Sequence, residues 1–264
     1  MTRVSGTNII KTPCCGALLA TPAYASINFM AWEYWTDGYA EGSLAPGGEW
    51  LRRCICGRCF LLGSAERVGT IRARGPLAPK DWEKRKDDWW SRLLGRETRE
   101  EILERYDTRS TAVIEAEQRS IPPSPNYFAN SELRALIDSE VADVGVTATA
   151  RRLYWRHLNE PFREIYRAFR EAHKGEVSPD GNSATFPDYL PGPEQTQNME
   201  QLVKLLETSA EHHWLELAEL YREMGDMDAA RTALSRIAGE QERLHFVIDK
   251  LITLNVRGPV RYFY

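Results

Sequence analysis

The chain has 264 residues, with 38 acidic against 34 basic side chains and a formal net charge of -4. That balance excludes binding to nucleic acid by bulk attraction and leaves only a local basic face for such a role. The length suits two ordinary domains with their own cores, and no apolar run approaches the roughly 20 residues that a membrane helix needs. The opening MTRVSGTNIIKTPCC lacks the apolar stretch of a secretion signal, so a cytoplasmic location with no membrane partner is expected. There thiols stay reduced, five cysteines cannot pair completely, and clustered cysteines more often hold metal.

In chain order, residues 4–11 read as an extended run that Pro13 turns into Cys14, Cys15 and Gly16. Residues 17–53 alternate around Tyr24, Ser26 and Asn28, carry an aromatic run at Trp32, Tyr34, Trp35, Tyr39 and Trp50, and have turn signals at Asp37-Gly38 and Pro46-Gly47-Gly48. Short antiparallel strands are expected. The second cluster follows as Cys54-Ile55-Cys56-Gly57-Arg58-Cys59, then a brief closing strand at Phe60, Leu61 and Leu62. The aromatic run reads as core or protein-contact surface, because Glu33, Asp37, Glu41 and Glu49 beside it would repel phosphates.

Thiolates clustered at two points read as the two jaws of a tetrahedral metal site, and a glycine after each cluster supplies the backbone turn of a knuckle. This first quarter resembles the zinc-ribbon family, whose knuckles read C-P-x-C-G. Aligning on Pro13 and Gly16 puts Thr12 where the family's first cysteine belongs. The resemblance implies a structural Zn2+ on Cys14, Cys15, Cys54 and Cys56, since each cluster then ends in Cys-Gly. Cys59 is the alternate ligand. Chelation is expected to unfold the domain.

Beyond residue 65, charged helical stretches are expected over 82–94 and 97–117, the first laced by i to i+4 pairs, the second bearing an apolar stripe. Three prolines over 121–125 close this part. Ser131 caps an expected helix to about Val144, stopped by Gly145. Basic, aromatic helical pieces follow over 151–157 and 161–170. Their arginines Arg151, Arg152, Arg156, Arg163 and Arg167 form the most basic surface in the chain, a solvated face or a site for an acidic partner. Residues 174–197 read as a long loop, and helices resume at Met199.

Trp214, Leu217, Ala218, Tyr221, Gly225, Asp226, Ala230 and Leu234 follow the spacing of a tetratricopeptide repeat. Residues 211–244 resemble one such repeat, with Arg243 in place of its closing proline. The resemblance implies flanking helices over 199–208 and 240–254, because one repeat cannot bury its faces alone. The tail over 256–264 either packs back on the helices or presents a docking motif.

The expected fold class is α+β. A small β-rich zinc ribbon (1–65) is followed by a charged helical connector (66–125) and a mainly α-helical, tetratricopeptide-like domain (126–264). The combination resembles bacterial proteins whose likeness implies architecture rather than chemistry. A non-enzymatic adaptor or scaffold with a protein partner is expected, with Trp214, Tyr221, Arg151, Arg152 and Arg156 as contact residues. The alternatives are nucleic-acid binding through the ribbon and, third, a zinc- or thiol-dependent enzyme using Cys59. No Gly-rich phosphate loop, histidine-glutamate metal motif or serine elbow supports the last.

Overall fold

The computed structural model describes residues 3–26, 33–41, 51–72, 121–123, 128–139, 143–173, 186–209, 211–237 and 243–262. The expected helices over 82–94 and 97–117, and Trp32 and Trp50, lie outside the described residues. In chain order the strands are β1 (Arg3–Lys11), β2 (Leu18–Ser26), β3 (Glu33–Trp35), β4 (Ala40–Glu41), β5 (Leu51–Arg53), β6 (Cys59–Leu61) and β7 (Glu66–Arg72). Helices α1 (Asn130–Ile137), α2 (Val144–Leu158), α3 (Glu160–Ala172), α4 (Pro193–Glu207), α5 (Trp214–Met224), α6 (Met227–Leu234) and α7 (Arg243–Thr253) follow, then β8 (Arg261–Tyr262). Small N-terminal sheets followed by a mainly helical region make this an α+β chain. It divides into two compact units, Met1–Ile27 with Arg52–Pro125, and Asn28–Leu51 with Asn126–Tyr264.

In the first unit β1 is the centre of an antiparallel sheet ordered β2-β1-β7, with Ile10 opposite Leu19 on one side and Arg67 on the other. The outer strand β7 falls past residue 65, in the stretch expected to be a charged connector. Ile10, Leu19, Cys54 and Phe60 form a small core, with Cys14, Ala17, Leu62 and Ala65 packed against it. Both cysteine clusters are therefore anchored by the same apolar contacts.

In the second unit, α2 and α6 start at side-chain caps. Asp143 accepts from the amides of Gly145 at 2.9 Å and Val146 at 3.4 Å, so α2 begins at Val144 and Gly145 lies in its first turn. The glycine expected to stop a helix helps to start one, and α1 ends earlier, at Ile137. α4 begins at Pro193, inside the stretch read as a loop, because proline suits a first helical turn and Gln195 and Asn198 are buried by tertiary packing. α5 and α6 form a helix-turn-helix about Gly225 (φ 90°), and Asp226 accepts from Ala229 N at 3.0 Å. Leu217, Ala218, Ala230 and Leu234 are buried with Met199 and Leu202 of α4 and Ile248 and Ile252 of α7 in one core.

The segment 33–41 folds with this helical unit rather than with the knuckles. β3 pairs with β4 and also with β8, placing Tyr34 opposite Tyr262 and Trp35 opposite Arg261. Trp35 is fully buried among Phe162, Tyr166, Leu251 and Val260, so this aromatic is core. The described part of the tail packs back: Thr36 N donates to Val260 O, and Val260 N to Thr36 Oγ1, each at 3.0 Å.

Candidate metal centre

The loop from β1 to β2 carries Thr12, Cys14 and Cys15, and the loop from β5 to β6 carries Cys54 and Cys56. Both are built alike. Thr12 N donates to Ala17 O (2.9 Å) and Gly16 N to Thr12 O (3.0 Å); Cys54 N donates to Arg58 O (2.8 Å) and Gly57 N to Cys54 O (2.9 Å). Gly16 and Gly57 sit at φ 72° and 84°, which a residue with a side chain adopts only at a cost. Thr12 thus stands in the first loop where Cys54 stands in the second, and the first loop is one residue longer.

The four sulfurs of Cys14, Cys15, Cys54 and Cys56 lie within 4.8 Å of one another. Contacts across the two loops are 3.5 Å for Cys14 with Cys56 and 3.4 Å for Cys15 with Cys54. A tetrahedron of sulfurs about 2.3 Å from a central zinc has edges of about 3.8 Å, so these spacings suit one four-coordinate cation. Cys54 is buried and Cys14 half-buried, while Cys15 and Cys56 are exposed. The buried hydroxyl of Thr12 lies 3.6 Å from both the Cys15 and the Cys54 sulfur. The arrangement can hold a metal ion.

Burial opposes ionisation of Cys54, but the backbone amide of Cys56 and the Thr12 hydroxyl outweigh it and bring that thiol down to about 6. Burial, with the neighbouring Cys54 and Cys56 sulfurs, pushes Cys14 up to about 12. Like charges this close cannot all form unaided, whereas a divalent cation holds every coordinated thiol deprotonated. Cys59 lies in β6, half-buried and outside the four-sulfur group, and none of the five cysteines is in a disulfide.

The remaining singled-out residues are not gathered at this centre. Trp214 packs against the helical core and stacks on His212, with the Arg236 guanidinium 4.7 Å from its ring centre. Tyr221 packs on the same core and donates to Glu207 Oε1 at 2.6 Å. The five arginines are largely engaged inside the second unit rather than forming one solvated face. Arg151 donates to Asn198, Arg152 makes a two-pronged pair with Glu216, and Arg156 donates to the Asp37 carbonyl. Arg163 is fully buried against Asp37, and Arg167 bridges Glu33 and Glu41.

Arg163 leads into a buried polar network that no sequence pattern announced. Asn159 donates to Asp37 Oδ2 at 2.9 Å and to Glu223 Oε2 at 3.2 Å, and its own carbonyl accepts from Tyr189 (2.9 Å) and Gln195 (2.6 Å). Trp155 Nε1 donates to Glu223 Oε2 at 2.8 Å. Beside it, fully buried Arg222 pairs with Glu219 and donates to Gly258 O at 3.0 Å. Burial, then the nearby Glu219 and Asp37 carboxylates, hold Glu223 well above the ordinary carboxyl range. Its members come from the Asp37-Gly38 turn, α2, the Asn159 link between α2 and α3, α3, the segment before α4, α4 itself and α5, so no local pattern joins them.

Comparison with protein-family models, with curated proteins and with solved structures finds no match for this chain. What its fold and site define is an α+β chain with a candidate four-cysteine metal centre between two matched loops. No described helix is long and apolar enough to cross a membrane.

Proposed function

We propose that the first unit is a zinc ribbon with a structural Zn2+ on Cys14, Cys15, Cys54 and Cys56, and that the chain is a non-enzymatic adaptor or scaffold for a protein partner. The observation that carries the metal reading is the convergence of four sulfurs from two loops within 4.8 Å. An all-thiolate tetrahedral set suits zinc, and four protein ligands leave no position for a reacting water. That closure favours a structural role over a catalytic one.

The adaptor reading draws support from the α5–α6 hairpin flanked by α4 and α7, an arrangement that resembles a tetratricopeptide repeat with degenerate neighbours. Such helix pairs present surfaces to peptide segments. Weighing against nucleic acid, Arg152, Arg163 and Arg167 are tied to carboxylates, which leaves them poorly placed to meet phosphates.

Two measurements test this. Metal analysis of the protein purified under reducing conditions is expected to give one zinc per chain, and a metal-free chain with intact thiols sinks the ribbon. Affinity capture with and without nuclease is expected to leave a stoichiometric protein partner. Loss of every partner with nuclease, and recovery of nucleic acid, overturns the adaptor.

A further inference from the structure

We infer that the four-cysteine centre is a site of oxidative modification, in which peroxide converts it to two specific disulfides, Cys14–Cys56 and Cys15–Cys54, and expels the metal. The inference deepens the zinc reading and rests on it for the metal release. The pairing itself rests on geometry alone.

Three observations carry it. Two close sulfur contacts, at 3.5 and 3.4 Å, run from one loop to the other, joining positions 42 and 39 residues apart. Each contact also joins one exposed cysteine, Cys56 or Cys15, to a more covered one, Cys14 or Cys54. Each pair thus has a point of attack and a resolving partner behind it. Finally, the vicinal alternative Cys14–Cys15 is disfavoured, because consecutive Cα atoms are about 3.8 Å apart and ordinary disulfides need about 4.4 Å or more.

The chemistry balances with a peroxide as the named oxidant. A thiolate sulfur of Cys56 or Cys15 attacks hydrogen peroxide; the S–O bond forms, the O–O bond breaks and hydroxide leaves, giving a sulfenic acid. The thiolate of Cys14 or Cys54 then attacks that sulfur, forming the S–S bond and releasing a second hydroxide. Two peroxides therefore oxidise four zinc-bound thiolates to two disulfides and leave one Zn2+ and four hydroxides. The two cross-links hold the same two loops that the metal held.

The test treats the full-length, zinc-loaded protein with hydrogen peroxide, follows zinc with a chromogenic chelator and maps disulfides by mass spectrometry. The expected result is one zinc released per chain together with the Cys14–Cys56 and Cys15–Cys54 links, with Cys59 outside both, and recovery of zinc binding after reduction. In Cys14→Ser the Cys15–Cys54 link is expected to persist, and in Cys15→Ser the Cys14–Cys56 link. Crossed pairs, a vicinal link, a link through Cys59 or sulfinic acids without disulfide each overturn the inference. If the reduced chain carries no zinc, the zinc reading fails separately. Peroxide treatment of that metal-free chain then decides the pairing by the same map.

Discussion

Thr12 is a residue whose importance depends on its place in a loop rather than on its type. It makes the backbone bonds that Cys54 makes in the matching loop, yet it brings a hydroxyl within 3.6 Å of two of the four sulfurs. Donors to a ligand sulfur orient it and stabilise its charge, and losing them weakens metal sites by roughly 10–100-fold. Thr12→Val, nearly equal in shape, is expected to lower zinc affinity by about that factor while the unit still folds with excess zinc, as competition with a metallochromic chelator would reveal. Unchanged affinity would make Thr12 a packing residue only. Glu223 offers a second test at this scale. Its folded value lies above the ordinary 4.5, so its contribution to stability is complete below that pH and is lost as pH rises toward the folded value. In denaturant midpoints taken from pH about 4.5 upward, the native chain is expected to lose ground to Glu223→Gln; parallel profiles would show that Glu223 titrates alike in the folded and unfolded chain.

At the scale of elements, the contact that ties the distant ends of the sequence together is β3 between β4 and β8. Residues 33–41 and 256–262 share a core through Trp35 and Val260, the paired bonds of Thr36 with Val260, and Glu33 held between Arg167 and Arg261. Despite its burial, Glu33 is kept below the usual carboxyl range by Arg261 and Arg167. Removing residues 259–264 takes away buried Val260 and Tyr262 with their bonds. Burial of two such side chains is worth roughly 3–6 kcal/mol by area. The truncated chain is expected to lose about 3 kcal/mol or more in urea unfolding, with faster amide exchange at Trp35 and Thr36. Native-like exchange there would mean that the helices hold β3 unaided.

Over the whole molecule, the two units differ in what their described residues bury. The helical unit has a large apolar core with buried Met199, Leu202, Leu220, Ile248 and Ile252, whereas among the described residues of the first unit a cluster of four buried side chains lies beside the candidate metal centre. Structural zinc contributes about 10–16 kcal/mol in apparent terms to small metal-dependent folds. A strong chelator under reducing conditions is therefore expected to abolish the amide protection of β1, β2 and β7 while the far-ultraviolet signal of the helices persists. Protection unchanged after proven metal loss would show that the β2-β1-β7 sheet stands without a cation.

Much of the candidate centre was legible before folding, because Cys-Gly pairs, a preceding Pro13 and the reducing compartment expected for this composition are local or compositional signals. Helix content and the α5–α6 turn were legible for the same reason: Gly225 and Asp226 act through neighbouring backbone, and Leu217, Ala218 and Ala230 recur at helical spacing. The starts of α2 and α4 were misplaced because Gly145 and Pro193 each suit two roles locally, and only capping by Asp143 and burial of Gln195 and Asn198 choose between them. The buried Asp37, Asn159, Arg163 and Glu223 network escaped entirely. A charged residue looks solvated in sequence, and its burial is decided by partners more than 100 residues away, as with Arg163 and Asp37. Residue type and spacing by themselves determined that the chain would be α+β with clustered thiols. Only the tertiary structure decided which sulfurs meet, which arginines are internal, and that β3 and β4 fold with the helices, because those outcomes depend on burial and on contacts that no local pattern encodes.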